Sequence, residues 1–380
     1  MHTMARLRRN LAMPAWGSAW LLAACTASAA GTARIPDAEL PLIETGVAML
    51  PNARGPFAWL DAHTLAITTF AGDPGATNAW TAQQVVAFDT RSRKRHAIVP
   101  QGRLTCTNPP ASVVSATVGD TRAYFLGREF GPAPVPQWFK WDGAAKRLVP
   151  WPDGAHPDWN DSLCRQTLAE DARQPIPGAH NNQPRIYLQP GEGFITWDRA
   201  FGNAPQPVRL KSGNREVTLD VTSDKVGPNI THLPFLGAHL LNVGLHRWTD
   251  KRGEQLFPAL LLRANGQVER MPFPPALAAD FTERRLSSDA LMLPVAGGSL
   301  VIVADSSSAG GGLYLTRGGK SSRVWFAGAP PHESFRIMSA IEVSPDGCRV
   351  AFDARWPRTA DPATMGLEGS VKILDLCSAK

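Results

Sequence analysis

One short pattern near the end of the chain, Ile341-Glu342-Val343-Ser344-Pro345-Asp346-Gly347-Cys348-Arg349-Val350-Ala351-Phe352-Asp353, limits the fold more than any other feature. Its first residues alternate in period two, Pro-Asp-Gly supplies a tight turn, and β-branched and aromatic residues follow. That combination specifies a β-hairpin. The same strand-turn-strand shape recurs in five upstream regions, about fifty residues apart, which is the signature of a repeat architecture.

Each repeat reads as two hairpins, hence four strands. The first covers 57–60, 64–68, 84–89 and 95–99; the second 113–117, 122–126, 137–141 and 147–151; the third 185–189, 193–197, 207–211 and 216–219. The fourth covers 231–236, 239–243, 258–263 and 267–271, and the fifth 290–295, 300–304, 312–316 and 322–326. Asn-Gly, Asp-Gly and Gly-Gly pairs stand at corresponding turns, where residues tolerant of positive φ are needed. The sixth repeat has its opening hairpin and 371–376 but no fourth strand, while the segment 41–49 has no partner in the first repeat. Assigning 41–49 as the outer strand of the last unit protects an edge that would otherwise template aggregation. The expected fold is an all-β propeller of six four-stranded blades, with the N-terminal strand completing the last blade. A seventh, degenerate blade within 152–184 is the alternative. The 33 Gly and 33 Pro suit many short strands and turns rather than helical bundles.

Ser344-Pro345-Asp346-Gly347 followed by Val350-Ala351-Phe352 resembles the repeat of TolB-like and WD40-like (PD40-type) propellers. The last unit matches closely, and the first five keep only the shape. The resemblance implies the propeller fold across 39–377 and, through TolB, a periplasmic protein that binds other proteins. It brings no catalytic residues.

Residues 1–24 read as a signal peptide, because Arg6, Arg8 and Arg9 precede an apolar, Ala-rich run. Leu22-Ala23-Ala24-Cys25 resembles the lipobox of bacterial lipoproteins, with Cys25 the acylated residue; Ala27-Ser28-Ala29 offers an ordinary cleavage site instead. Five cysteines are an odd number for an exported chain, and acylating Cys25 leaves Cys106, Cys164, Cys348 and Cys377 for disulfides. The expected pairs are Cys348–Cys377 and Cys106–Cys164. A linker at 25–38 then leads into one domain, 39–380, carrying an insertion at 152–184. The expected location is the periplasmic side of the envelope, lipid-anchored at the outer membrane, with a soluble periplasmic or secreted protein as the alternative.

Removing the three leader arginines leaves 36 Lys+Arg against 33 Asp+Glu, so the mature chain is only mildly basic. No nucleic-acid partner is expected, since no reader motif is present. The connections 69–83, 127–136, 244–257 and 354–370, together with 100–112, 152–184 and 272–289, are long, whereas the intervening turns are tight. Long connections in compact domains are usually functional, so the working surface is expected on the face that carries them. There the chain repeats an arginine beside an aromatic: Arg128 and Phe130, Arg199 and Phe201, Arg247 and Trp248, Arg355 and Trp356. Such a ring suits bidentate recognition of carboxylates, with flat rings for sugars or side chains; inter-blade packing is the competing role for the same residues.

No Gly-x-Ser-x-Gly elbow, P-loop, His-Glu-x-x-His or Cys-x-x-Cys occurs, so no metal site and no cofactor is expected. His156, Asp158, Asp161, His180 and Asn181 share the longest insertion and read as polar loop residues. The expected function is non-enzymatic binding, by a monomer, of an envelope protein or an anionic glycan or peptide. The alternative is a propeller hydrolase or lyase acting on an acidic glycan or peptide. One expectation is directly measurable: a palmitate analogue fed to the producing cell labels the wild type and leaves Cys25→Ser unlabelled, and equal labelling of both contradicts the lipobox.

Overall fold

The computed structural model describes residues 35–48, 57–71, 82–108, 113–120, 131–132, 136–151, 185–187, 193–197, 206–212, 215–221, 229–242, 259–263, 265–283, 290–303, 312–325, 336–355 and 370–378. These hold six four-stranded antiparallel sheets. The first contains β2 (Phe57–Trp59), β3 (Thr64–Phe70), β4 (Gln83–Asp89) and β5 (Lys94–Val99), in that order. The second contains β6 (Gly102–Asn108), β7 (Val113–Val118), β8 (Pro136–Asp142) and β9 (Arg147–Pro150). β10 (Arg185–Tyr187), β11 (Gly193–Trp197), β12 (Gln206–Ser212) and β13 (Arg215–Val221) form the third. β14 (Asn229–Leu233), β15 (Ala238–Asn242), β16 (Ala259–Arg263) and β17 (Val268–Met271) form the fourth, and β18 (Ala290–Val295), β19 (Gly298–Val303), β20 (Gly312–Arg317) and β21 (Lys320–Trp325) the fifth. The last runs β22 (Arg336–Val343), β23 (Arg349–Arg355), β24 (Ser370–Asp375) and then β1 (Leu42–Ala48). The segment expected to supply that outer strand pairs with β24, Leu42 opposite Leu374 and Ala48 opposite Ser370.

Two features differ from the sequence expectation. In the second sheet, Gly102–Asn108 is the first strand rather than part of a connection, and Val113–Val118 is the second strand, with Gly102 opposite Val118. The Thr-rich run Arg103-Leu104-Thr105-Cys106-Thr107 suits a strand, and Gly119 closes β7 instead of turning a hairpin; its N–H bonds to the Gln101 carbonyl at 2.9 Å. Residues 122–126 lie outside the described residues, and Cys106 sits on β6 opposite Ser115. The second difference is a helix, α1 (Pro275–Glu283), within the 272–289 connection.

The tight turns are made largely by aspartate. Asp61 Oδ1 accepts the His63 and Thr64 amides at 2.8 and 2.7 Å, Asp89 Oδ1 those of Arg91 and Ser92, and Asp142 Oδ1 those of Ala144 and Ala145. A carboxylate two residues before the bend mimics the backbone turn and fixes where each strand stops. Gly347, at φ +74°, admits no side chain, because a Cβ there would lie 2.8 Å from the Phe235 ring.

Period two explains the packing. On β3 and β4, Leu65, Ile67, Val86 and Phe88 point to one cluster, shared with Ile43, Val47, Phe57, Trp59, Ala351, Val371 and Ile373 of the first and last sheets. Their alternates Ala66, Val85 and Ala87 join Leu104, Val114, Ala116, Phe139 and Trp141 of the second sheet. A third cluster joins the fourth, fifth and last sheets. Residues 35–380 accordingly form one compact unit.

Cys348 and Cys377 are bonded, with Cα atoms 5.2 Å apart, tying the β22–β23 turn to the end of β24. The expected Cys106–Cys164 partner, Cys164, lies outside the described residues. Because the Cys348–Cys377 bond spans 29 residues, its loss in Cys348→Ala/Cys377→Ala should lower unfolding free energy by about 3–4 kcal/mol on chain-entropy grounds. Urea unfolding checks this, and an unchanged midpoint contradicts it.

Candidate functional site

Each sheet has a tight-turn end and a long-connection end, and the two differ in chemistry. At the tight-turn end several polar groups hold the sheets to one another. Arg349 Nη1 donates to the Ala62 carbonyl at 3.0 Å and pairs with Asp346 at 3.2 Å, bridging the last and first sheets. Arg317 donates to the Ala296 and Leu376 carbonyls at 2.9 and 2.8 Å, joining the fifth and last. Trp141 Nε1 donates to Asp61 Oδ2 at 2.8 Å, joining the second and first. His63 Nε2 accepts from Arg91 at 2.6 Å, which places the imidazole proton on Nδ1. Burial first, then the Arg349 and Arg91 cations, hold His63 below its ordinary range, against a smaller pull from Asp346 and Asp61. This ring therefore braces the β2–β3 turn against the β4–β5 turn of the same sheet.

The long-connection end of the last sheet has a different arrangement. The β22–β23 ladder sets Arg336 directly opposite Arg355 and Ile337 opposite Ala354. Like charges opposed in a cross-strand pair are destabilising. Between Ile337 and Ile341 the register then jumps, because β22 advances four residues while β23 advances two, from Ala354 to Phe352. A bulge of this kind bends the strand and re-aims its side chains, and such bulges concentrate near functional sites.

Below the bulge Glu342 stands opposite Ala351, on the same face of the sheet as the Arg336–Arg355 pair. That face packs on the first sheet: Ala351 belongs to the cluster of Phe57, Trp59 and Val86, and Trp59 Nε1 donates to the Glu342 carbonyl at 3.0 Å. Burial among these apolar groups pushes the Glu342 carboxyl up to about 7. Along β23, four residues separate the rows of Arg355 and Ala351, roughly 13 Å at strand rise. Arg336 and Arg355 thus share one register row near the end of the β22–β23 ladder, and Glu342, its carboxyl held up to about 7, stands four β23 residues further in.

Of the residues expected at the site, Arg355 ends β23. Arg128, Phe130, Arg199, Phe201, Arg247, Trp248 and Trp356 lie outside the described residues. The described strands that precede them end at Val118 (β7), Trp197 (β11) and Asn242 (β15), and Arg355 is the last residue of β23. Residues 122–126, expected as the second strand before Arg128, lie outside the described residues, and the second strand of that sheet is β7. Arg336 and Glu342 escaped the sequence reading, because their placement opposite Arg355 and Ala351 appears only once the bulge sets the register. Among the described residues, no three His, Cys, Asp or Glu side chains are grouped to hold a metal, and no helix is long and apolar enough to cross a membrane.

No family model and no curated protein matches the chain. Among solved structures, it is similar to an acylaminoacyl peptidase from Pyrococcus horikoshii at 10% identity and TM-score 0.41, over 81% of this chain and 49% of that one. TolB from Acinetobacter baumannii aligns at 10% identity and TM-score 0.35, over 82% and 63%. The β-propeller domain of the trilobed protease from Pyrococcus furiosus aligns at 10% identity and TM-score 0.33, over 82% and 90%. The chain spans about half the length of the peptidase and less than two thirds of TolB.

The raised Glu342 value has a definite consequence for stability. Its folded-state affinity for a proton exceeds the unfolded one, so stability is full below the ordinary value of 4.5 and declines as pH rises toward about 7. The loss, at about 1.36 kcal/mol per unit, is on the order of 3 kcal/mol. Glu342→Gln should abolish this decline, leaving equal stability at both ends of the window. Urea midpoints measured across pH 4 to 8 decide it, and a parallel decline in both proteins rules out Glu342 as the cause.

Proposed function

We propose that the chain is an exported, lipid-anchored six-bladed propeller of the cell envelope, closed by β1, that binds an anionic glycan or peptide at its long-connection face without catalysing a reaction. The observation that carries this reading is the Arg336–Arg355 opposition. A cross-strand pair of like charges is disfavoured in the free protein, and a carboxylate or sulfate bound at that row would offset the repulsion with charge-assisted contacts. Arg317 and Arg349 at the tight-turn end are not available for this, since both are bonded to backbone carbonyls.

A hydrolase or lyase acting on the same acidic ligand is the second reading, and Glu342 favours it, because a carboxyl that titrates near pH 7 suits general acid–base work. Product analysis after long incubation with oligogalacturonate separates the two readings, since release of shorter or unsaturated fragments belongs to the enzyme alone.

Binding itself is tested with oligogalacturonate and a poly-glutamate peptide, by calorimetry at low and high salt. Arg336→Gln/Arg355→Gln should weaken binding at least tenfold while raising stability of the free protein by about 0.2–1 kcal/mol, the relief of a like-charge pair. Unchanged affinity together with lost stability would instead assign the two arginines to the fold.

A further inference from the structure

We infer that the tight-turn side of the first and second sheets is a docking surface for anionic lipid headgroups. Two neighbouring turns build it. The β4–β5 turn and the strand after it present Arg91, Arg93, Lys94 and Arg95, and the β8–β9 turn presents Lys146 and Arg147, all exposed. The turns are held side by side: His96 Nε2 donates to the Lys146 carbonyl at 3.0 Å, and Lys146 Nζ pairs with Asp89 at 2.9 Å. The nearby carboxylates are already committed. Burial would raise Asp89, but the Ser92 and Arg91 amides and Lys146 outweigh it and hold it down at about 2, and Asp142 caps its own turn. Six cations therefore face solvent against two carboxylates whose oxygens are occupied by turn amides and Lys146.

The backbone makes the arrangement more telling. Arg93 and Lys146 occupy the left-handed region, at φ 56° and 51°, in turns where glycine or asparagine would be unstrained. Both turns thus hold a long cation at a position that disfavours it, a cost of about 1 kcal/mol each. The side chains of Arg93, Lys94 and Arg147 have no bonding partner among the described residues, whereas Arg91 and Arg95 also brace His63 and the Gly46 carbonyl.

The occupant follows from where the chain joins the fold. β1 starts at the tight-turn end of the last sheet, Leu42 opposite Leu374 and the Asp375 amide on the Pro41 carbonyl, and the preceding Asp37 bridges to Arg323 on the rim of the fifth. A lipid at Cys25 is ten residues before Ile35, at most about 35 Å of chain, so the tether brings this end toward the bilayer. Basic residues near an anionic surface contribute about 1 kcal/mol each, and one acyl signal gains greatly from a polybasic second. With the tight turns on the membrane, the Arg336–Arg355 end is directed away from it.

The test uses the chain from Thr26 onward, without leader or lipid, so it does not depend on acylation of Cys25 or on ligand binding at the other face. Flotation with phosphatidylethanolamine vesicles, with and without phosphatidylglycerol, should show binding only to the anionic vesicles, released by added salt. Arg93→Asn/Lys94→Gln/Arg147→Gln should lose at least about tenfold in bound fraction with a melting temperature at or above the wild-type value, since Asn relieves the positive φ at 93. Equal binding to both vesicle types, salt-insensitive binding, or preference for duplex DNA over the vesicles would overturn the inference. Should the triple variant fail to fold, the salt and headgroup dependence of the wild type still decides it.

Discussion

The pairing of β1 with β24 is the contact on which the rest depends, because it is made across nearly the whole described chain and completes the last sheet. Without it β24 would present a bare edge of backbone donors and acceptors, and Ile43 and Val47 would leave the cluster that joins the last sheet to the first. The contact is reinforced chemically as well as by the ladder. Thr45 Oγ1 donates to the Val371 carbonyl at 2.7 Å, Lys372 pairs with Glu44, and Asp37 holds Arg323 of the fifth sheet through two bonds. Non-local closure of this kind is slow to form and adds little until the intervening sheets exist.

Given that closure, the two ends of the sheets divide the work. Aspartate turns and arginine-to-carbonyl bonds make the tight-turn end rigid, and the bonded Arg317 and Arg349 are half-buried, where a hydrogen-bonded charge is worth more than at the open surface. The long-connection end instead retains features that cost stability: opposed arginines, a bulge, and a carboxyl whose ionisation is resisted by its apolar surroundings.

Much of this was legible in the sequence where local chemistry decides. Asp-Gly, Asn-Gly and Gly-Gly turns located most hairpins, the surplus segment at 41–49 pointed to β1, and Cys348 and Cys377 were paired from strand direction alone. The second sheet was misread because Gly119-Asp120 has hairpin chemistry yet ends a strand, and because Pro109-Pro110 obscured the β6 strand before it. The basic turn at Arg91 to Arg95 was passed over, since net charge does not reveal that a second basic turn, Lys146-Arg147, packs beside it. Arg336 and Glu342 were invisible for a different reason. Their meaning lies in cross-strand register, which a bulge alters without any mark in local composition.

The closure is tested most directly by native-state hydrogen exchange on the unmodified mature chain. If β1 is an integral outer strand, the hydrogen-bonded amides of Leu42–Ala48 exchange as slowly as their partners in Ser370–Asp375, and both lose protection together as denaturant is raised. Fast exchange of Leu42–Ala48 beside a protected β24 would show the N-terminal strand to be an appendage and would contradict the account.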